Sequence, residues 1–170
     1  MTNKAKGTAP VVRLAQRVSS TETFARLAPS MLPAFDRAVH RLTRGRVLLS
    51  ARLLPGVVLT ARGARSGLPR ETPLACMPEG QGPDSWIVVG SNFGRPRHPA
   101  WTANLLAHPD AEISWRGTRV PVTARLLAGE ERAAAWRAVL EFWPPYATYQ
   151  RRVTREIRLF RIERRQEPGR

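Results

Sequence analysis

Three stretches of the chain gather residue types that bind anions, cradle a flat ring or move a proton. The first, Thr60 to Pro73, reads TARGARSGLPRETP and sets Arg62, Arg65 and Arg70 around a turn containing Gly63, Ser66 and Gly67. Guanidinium forks and the backbone N–H groups of such a turn suit phosphate or carboxylate. The same spacing also describes a solvated hairpin tip. The second stretch, Val89 to Asn104, reads VGSNFGRPRHPAWTAN. It leaves a strand, passes through a glycine-bearing loop and enters a helix, which suits an anion or a polar ring. Phe93 and Trp101 are of the type that flanks a planar ring. Alternatively, Trp101 is a core residue and Asn104 an exposed or capping one. The third stretch, Phe142 to Tyr149, has four aromatics in eight residues, FWPPYATY. These would line a pocket for a flat substrate, and the phenols of Tyr146 and Tyr149 would offer protons. Packing of a helix on the core explains them equally well.

Other chemistries find no support in the sequence. His40, His98 and His108 lack metal-ligand spacing, and Cys76 is the only cysteine. There is no nucleophile elbow, serine–lysine pair, phosphate-binding P-loop or dinucleotide fingerprint. Nothing resembles the carboxylate pair of a glycosidase. An enzyme built on this sequence would take its difficult chemistry from a cofactor.

The elements that must position these stretches follow from periodicity. Leu32, Phe35, Val39 and Leu42 fall at helical spacing, so an amphipathic helix is expected over 31–44, ending at Gly45. Strands are expected at Val57–Ala61, Thr72–Met77 and Trp86–Gly90, the last two an antiparallel pair. A short helix follows at Trp101–Ala107. A hairpin, Ala111–Trp115 with Arg119–Leu127, turns at Arg116-Gly117. Helices at Glu130–Phe142 and Pro145–Arg152 precede a closing strand at Glu156–Ile162. Strands outnumber helices and do not alternate with them, which predicts a mainly β protein, a small antiparallel barrel with flanking helices. Residues 1–22 and 166–170 read as tails around a single domain at 23–165.

The formal net charge is +15, from 28 basic and 13 acidic residues. Residues 1–70 carry 13 basic against 2 acidic groups, so the excess is concentrated in the N-terminal half. Such a surface attracts phosphorylated ligands, anionic lipid or nucleic acid. No nucleic-acid-binding module accompanies the charge. No apolar run is long enough to span a membrane, and the N-terminus lacks the apolar core of a signal peptide. A cytoplasmic location is therefore expected, with the basic amphipathic helix at 31–44 able to rest on a membrane surface.

Taken together, Thr60–Pro73, Ser91–Pro109 and Trp143–Arg155 resemble the deazaflavin (coenzyme F420)-dependent nitroreductases, also called F420-dependent quinone reductases. The resemblance spans about residues 30–163. It implies a split β-barrel like that of the FMN-binding pyridoxamine-phosphate oxidases, and hydride transfer from reduced deazaflavin to a quinone, nitroaromatic or similar planar acceptor. By resemblance, Arg65 grips the cofactor phosphate, with Arg62, Ser66, Gly67 and Arg70 completing the loop and Pro73 beside the ring system. Gly90, Ser91, Asn92, Phe93 and Gly94 match the ring-holding loop, and His98, Pro99, Trp101 and Asn104 the segment after it. Trp143, Tyr146 and Tyr149 match an aromatic wall over the substrate, with Tyr149 or Ser91 as hydrogen-bond or proton donor. Asn92, Phe93 and Trp143 depart from some nitroreductase members, which have lysine, glycine and tyrosine there. FMN as cofactor, a non-catalytic cofactor carrier and a basic membrane- or nucleic-acid-surface binder are the competing readings. Both a monomer and a homodimer are compatible with the sequence.

Overall fold

The computed structural model describes residues 54–80 and 84–166. The expected helix at 31–44, the N-terminal tail and most of the C-terminal tail lie outside the described residues. Within them, six strands run in the order β1 (Gly56–Arg62), β2 (Pro69–Pro78), β3 (Ser85–Gly90), β4 (Asp110–Trp115), β5 (Thr118–Leu126) and β6 (Arg158–Arg164). Three helices join them: α1 (Ala100–Ala107), α2 (Gly129–Phe142) and α3 (Pro145–Arg151), with a single 3-10 turn at Asn92–Gly94. The strands close into one antiparallel barrel, β1-β2-β3-β6-β5-β4. The fold class read from the sequence is thus the one observed.

Alternation builds the barrel interior. Val57, Leu59 and Ala61 of β1, Val120, Val122 and Ala124 of β5, and Phe160 and Ile162 of β6 all point inward and are buried. Trp86, Val88, Ile113 and Cys76 fill the remaining volume. At about 25 cal/mol per Å² of apolar surface, each of these aliphatic chains contributes about 1.5–3 kcal/mol. A second apolar layer lies between the barrel's outer face and the helices. Ile87 and Leu159 there meet Ala135 and Val139 of α2 and the aromatics of α3. Burial raises the Cys76 thiol pKa to about 12, so it stays protonated at neutral pH.

Two strand starts differ from expectation by more than one residue. β2 starts at Pro69 rather than Thr72, because Arg62 pairs with Pro69 and Ala61 with Arg70. Over residues 69–75 β2 has only β1 beside it, and an edge tolerates prolines that otherwise read as turn residues. The last strand starts at Arg158 rather than Glu156. The Ile157 N–H is already donated to the Gln150 side-chain oxygen of α3 at 3.0 Å, so the ladder begins one residue later.

At the far end of the barrel, Arg116 and Gly117 form the two-residue turn between β4 and β5, at φ 50° and 84°. Two positive φ values define the type I′ turn, which matches the twist of a tight hairpin.

Candidate functional site

The loop between β1 and β2 is tied to itself. The Gly63 N–H donates to the Leu68 carbonyl at 2.9 Å and the Gly67 N–H to the Gly63 carbonyl at 2.8 Å. The Ser66 hydroxyl accepts from the Leu68 N–H at 3.3 Å. The Arg62 guanidinium lies over Gly67. Arg62, Arg65 and Arg70 are all exposed and have no carboxylate or other hydrogen-bonding partner among the described residues. The other side of the loop is held by α1: the Asn104 side-chain oxygen accepts the Ala64 N–H at 3.0 Å across 40 residues of sequence. Asn104 therefore caps the arginine loop and fixes it to the helix that follows the second stretch.

That second stretch is wound tightly. Asn92 and Phe93 adopt φ 48° and 56°, and Gly94 φ 76°. The Gly94 N–H donates to the Ser91 carbonyl and the Arg95 N–H to the Asn92 carbonyl, each at 3.0 Å. The Asn92 amide donates to the Arg97 carbonyl at 2.9 Å, closing the loop. Ser91 is 8% exposed, and its hydroxyl does not cap the turn. Pro99 opens α1, its carbonyl accepting both the N–H and the hydroxyl of the fully buried Thr102. The Thr102 hydroxyl in turn accepts from Arg158 at 3.1 Å. The methyl of Thr102 presses on Gly90, where a Cβ would come within 2.9 Å of it. Pro73 sits on β2, paired with Val58.

The third stretch meets the second. A Cβ on Gly94 would lie 2.9 Å from the Tyr149 carbonyl oxygen and 3.0 Å from its Cα. The Phe93 ring stands edge-on to Tyr149 at 6.0 Å, and Tyr149 edge-on to Tyr146 at 5.9 Å. All three sequence stretches are thus linked, through Asn104 at one side and Tyr149 at the other.

Trp101 is 6% exposed and packs on Phe160 inside the barrel, which is the core placement that the sequence left open beside ring stacking. Its place at the first turn of α1, which caps the barrel, aims it inward. Trp143, between α2 and α3, and Tyr146 and Tyr149 of α3 are 6%, 7% and 3% exposed and belong to the apolar layer between barrel and helices. Burial also raises the Tyr146 pKa above the ordinary phenol value.

The residue that sequence reading passed over is Arg155, between α3 and β6. Its guanidinium donates to the carbonyls of Ser91 and Arg95 at 2.9 and 3.0 Å, to Pro96 at 3.0 Å and to Gly90 at 3.4 Å. It also lies 3.2 Å from His98 Nδ1. Burial, then the nearby charges of Arg158 and Arg155, push the His98 pKa down, so the imidazole is neutral and accepts from Arg155. No signal in the sequence separates this arginine from its neighbours, because nearly all its partners are backbone atoms. Among the described residues no group of His, Cys, Asp or Glu could hold a metal ion, and no helix is long and apolar enough to cross a membrane.

The sequence pattern of the F420H(2)-dependent quinone reductase family matches residues 35–163. F420H(2)-dependent quinone reductase Rv1261c of Mycobacterium tuberculosis (strain ATCC 25618 / H37Rv) is 34% identical over 135 residues, 75% of this chain and 87% of the relative. Among solved structures, an F420-H2 dependent reductase (FDR-A) is 38% identical with a TM-score of 0.57, covering 64% of this chain and 94% of its own. A domain-swapped dimer is 34% identical with a TM-score of 0.60, covering 75% of this chain and 95% of its own. With the pattern covering most of its length and its three site stretches joined in one place, the chain belongs to the F420H(2)-dependent quinone reductase family.

Proposed function

We propose that this protein binds reduced coenzyme F420 and uses it to reduce a planar acceptor of the quinone type, with nitroaromatics as further candidate acceptors. The observation that carries this reading is the junction of three elements. An arginine loop without carboxylate partners and a tightly wound loop at a helix start are joined through Asn104, and the second loop is backed by aromatics. The donor set fits the cofactor. Arg62, Arg65 and Arg70 are exposed forks of the kind that bind a phosphate and an acidic tail. When bound, the deazaflavin supplies hydride in a two-electron reduction.

The remaining work falls to the protein. Arg65, with Arg62, Ser66, Gly67 and Arg70, anchors the phosphate, while Pro73 and the Gly90–Gly94 loop border the ring. His98, Pro99 and Asn104 hold these loops in register. Positioning of this kind lowers the barrier by removing the entropy of alignment. Of the two candidate donors, Ser91 carries the hydroxyl that leaves its own turn uncapped, whereas the Tyr149 ring is packed against Phe93 and Tyr146. Ser91 is therefore the favoured donor to the developing oxyanion, and Tyr149 supports the loop.

Titration with oxidised and reduced F420 and with FMN, followed by fluorescence, tests the reading. Micromolar binding of F420, weak binding of FMN and turnover of a soluble quinone are expected. Tight F420 binding without turnover of any acceptor would make the protein a carrier, and failure to bind F420 would remove the proposal.

A further inference from the structure

Arg155 reaches back some 57–65 residues in sequence to a single loop, and every partner it finds there is an acceptor. The carbonyls of Gly90, Ser91, Arg95 and Pro96 converge on one guanidinium, with the His98 imidazole as a fifth acceptor. None of these partners is a carboxylate. The contact therefore does not neutralise charge. It sorts the polarity of the loop.

The reason lies in the peptide unit. The described peptide bonds are all trans. In a trans peptide the C=O and the following N–H point in opposite directions. Carbonyls of Gly90, Ser91 and Pro96 turned toward Arg155 leave the N–H groups of Ser91, Asn92 and Arg97 turned away from it. Pro96, which follows the Arg95 carbonyl, has no N–H to turn. The loop so held has an oxygen-lined side facing the guanidinium and a donor-lined side opposite. Asn92 and Phe93, both at positive φ, lie within the span that Arg155 grips from either side.

Resting on the functional reading above, we propose that Arg155 is the positioning residue that sets the polarity of the 90–98 loop, so that backbone donors rather than acceptors face the carbonyl-bearing edge of a planar ring. A lysine cannot replace it. Its single ammonium cannot span acceptors spread over residues 90–98, whereas the guanidinium has five donors in a rigid fork.

The full-length chain with Arg155→Lys tests this, with Arg155→Ala beside it. Loss of one or two charge-assisted bonds corresponds to an exchange or binding change of about 10- to 100-fold. Amide hydrogen exchange at residues 90–98 should rise by about that factor in R155K, while exchange in β1 and β4 stays at the wild-type rate. The F420 dissociation constant should rise by a similar factor, and millimolar guanidinium should restore binding in R155A but not in R155K. Wild-type exchange of the loop in R155K would overturn the proposal, as would R155K binding F420 as the parent does. Should the parent itself not bind F420, the functional reading fails, and the exchange and guanidinium-dependent protection of the loop still decide the role of Arg155.

Discussion

Replacing Gly94 by alanine should be far more damaging than replacing Gly117, although both glycines have φ near 80° (76° and 84°). An alanine in left-handed backbone costs about 1 kcal/mol at either place. Both substitutions also restrict the unfolded chain equally, so that effect cancels in the comparison. The difference lies in what the new methyl meets. At Gly117 there is nothing within 4 Å. At Gly94 the Cβ would stand 2.9 Å from the Tyr149 carbonyl oxygen and 3.0 Å from its Cα. Those are backbone atoms of α3 and cannot rotate aside, unlike the Arg152 side chain at 3.1 Å. Displacing a packed helix adds about 1–3 kcal/mol. For a domain of this size each kcal/mol lowers Tm by about 2–4 °C. G117A should therefore lose about 2–4 °C and G94A about 5–15 °C, measured by calorimetry on the two full-length variants. F420 affinity should fall only in G94A. Equal losses in the two would refute the contact between loop and α3 as the source of the difference.

Asn104→Ala removes the cap on Ala64 and should cost about 1 kcal/mol of stability. Its F420 affinity should also fall in calorimetric titration, and an N104A that binds like the parent would detach α1 from the arginine loop. Ser91→Ala should reduce kcat for a soluble quinone about 100-fold. Tyr149→Phe should leave kcat within about threefold, in keeping with a ring packed against Phe93 and Tyr146 rather than a proton donor; the reverse ranking would assign the donor to Tyr149. The Glu131 carboxyl is held at about 2, first by its bond to Arg125, and also by Arg161. Because that folded value lies below the ordinary 4.5, the stabilisation is present above pH 4.5 and fades as pH falls toward 2. The urea midpoint should decline through that window, and the decline should be shallower in Glu131→Gln; identical profiles would dismiss the network.

Much of the barrel was legible because alternation is a local signal. Val57–Ala61 and the Arg116-Gly117 turn show their faces and their φ requirements in a few residues. Local signals fail where the deciding partner is remote. The Ile157 N–H is claimed by Gln150, which delays β6, and no pattern near Glu156 announces it. Pro69 resembles a turn residue until the one-sided pairing of β2 is known. Site residues divide in the same way. Asn104 stood out within its stretch, but the choice between surface cap and ligand contact required the Ala64 bond. Trp101 could not be separated from a ring-stacking residue without Phe160 beside it. The buried α3 aromatics were legible as a cluster, while the face they cover depends on the packing of α2 and α3 on β3 and β6.

The seam between β2 and β3 closes with three residue pairs, Cys76–Val88 to Pro78–Trp86, whereas β1 and β2 share seven. It is reinforced from outside by Glu79, just past β2, whose carboxylate takes a two-pronged grip from Arg161 of β6 at 2.7 and 2.9 Å and the Ser85 hydroxyl at 2.8 Å. A ring of strands behaves mechanically like a clasped band, with its shortest join, three pairs against four between β1 and β4, as the clasp. Pulled or thermally agitated, it parts first at the clasp and opens into one continuous ribbon, β2-β1-β4-β5-β6-β3. The earliest unfolding event should thus be a parting between β2 and β3, with the pairing of β1 and β2 surviving it.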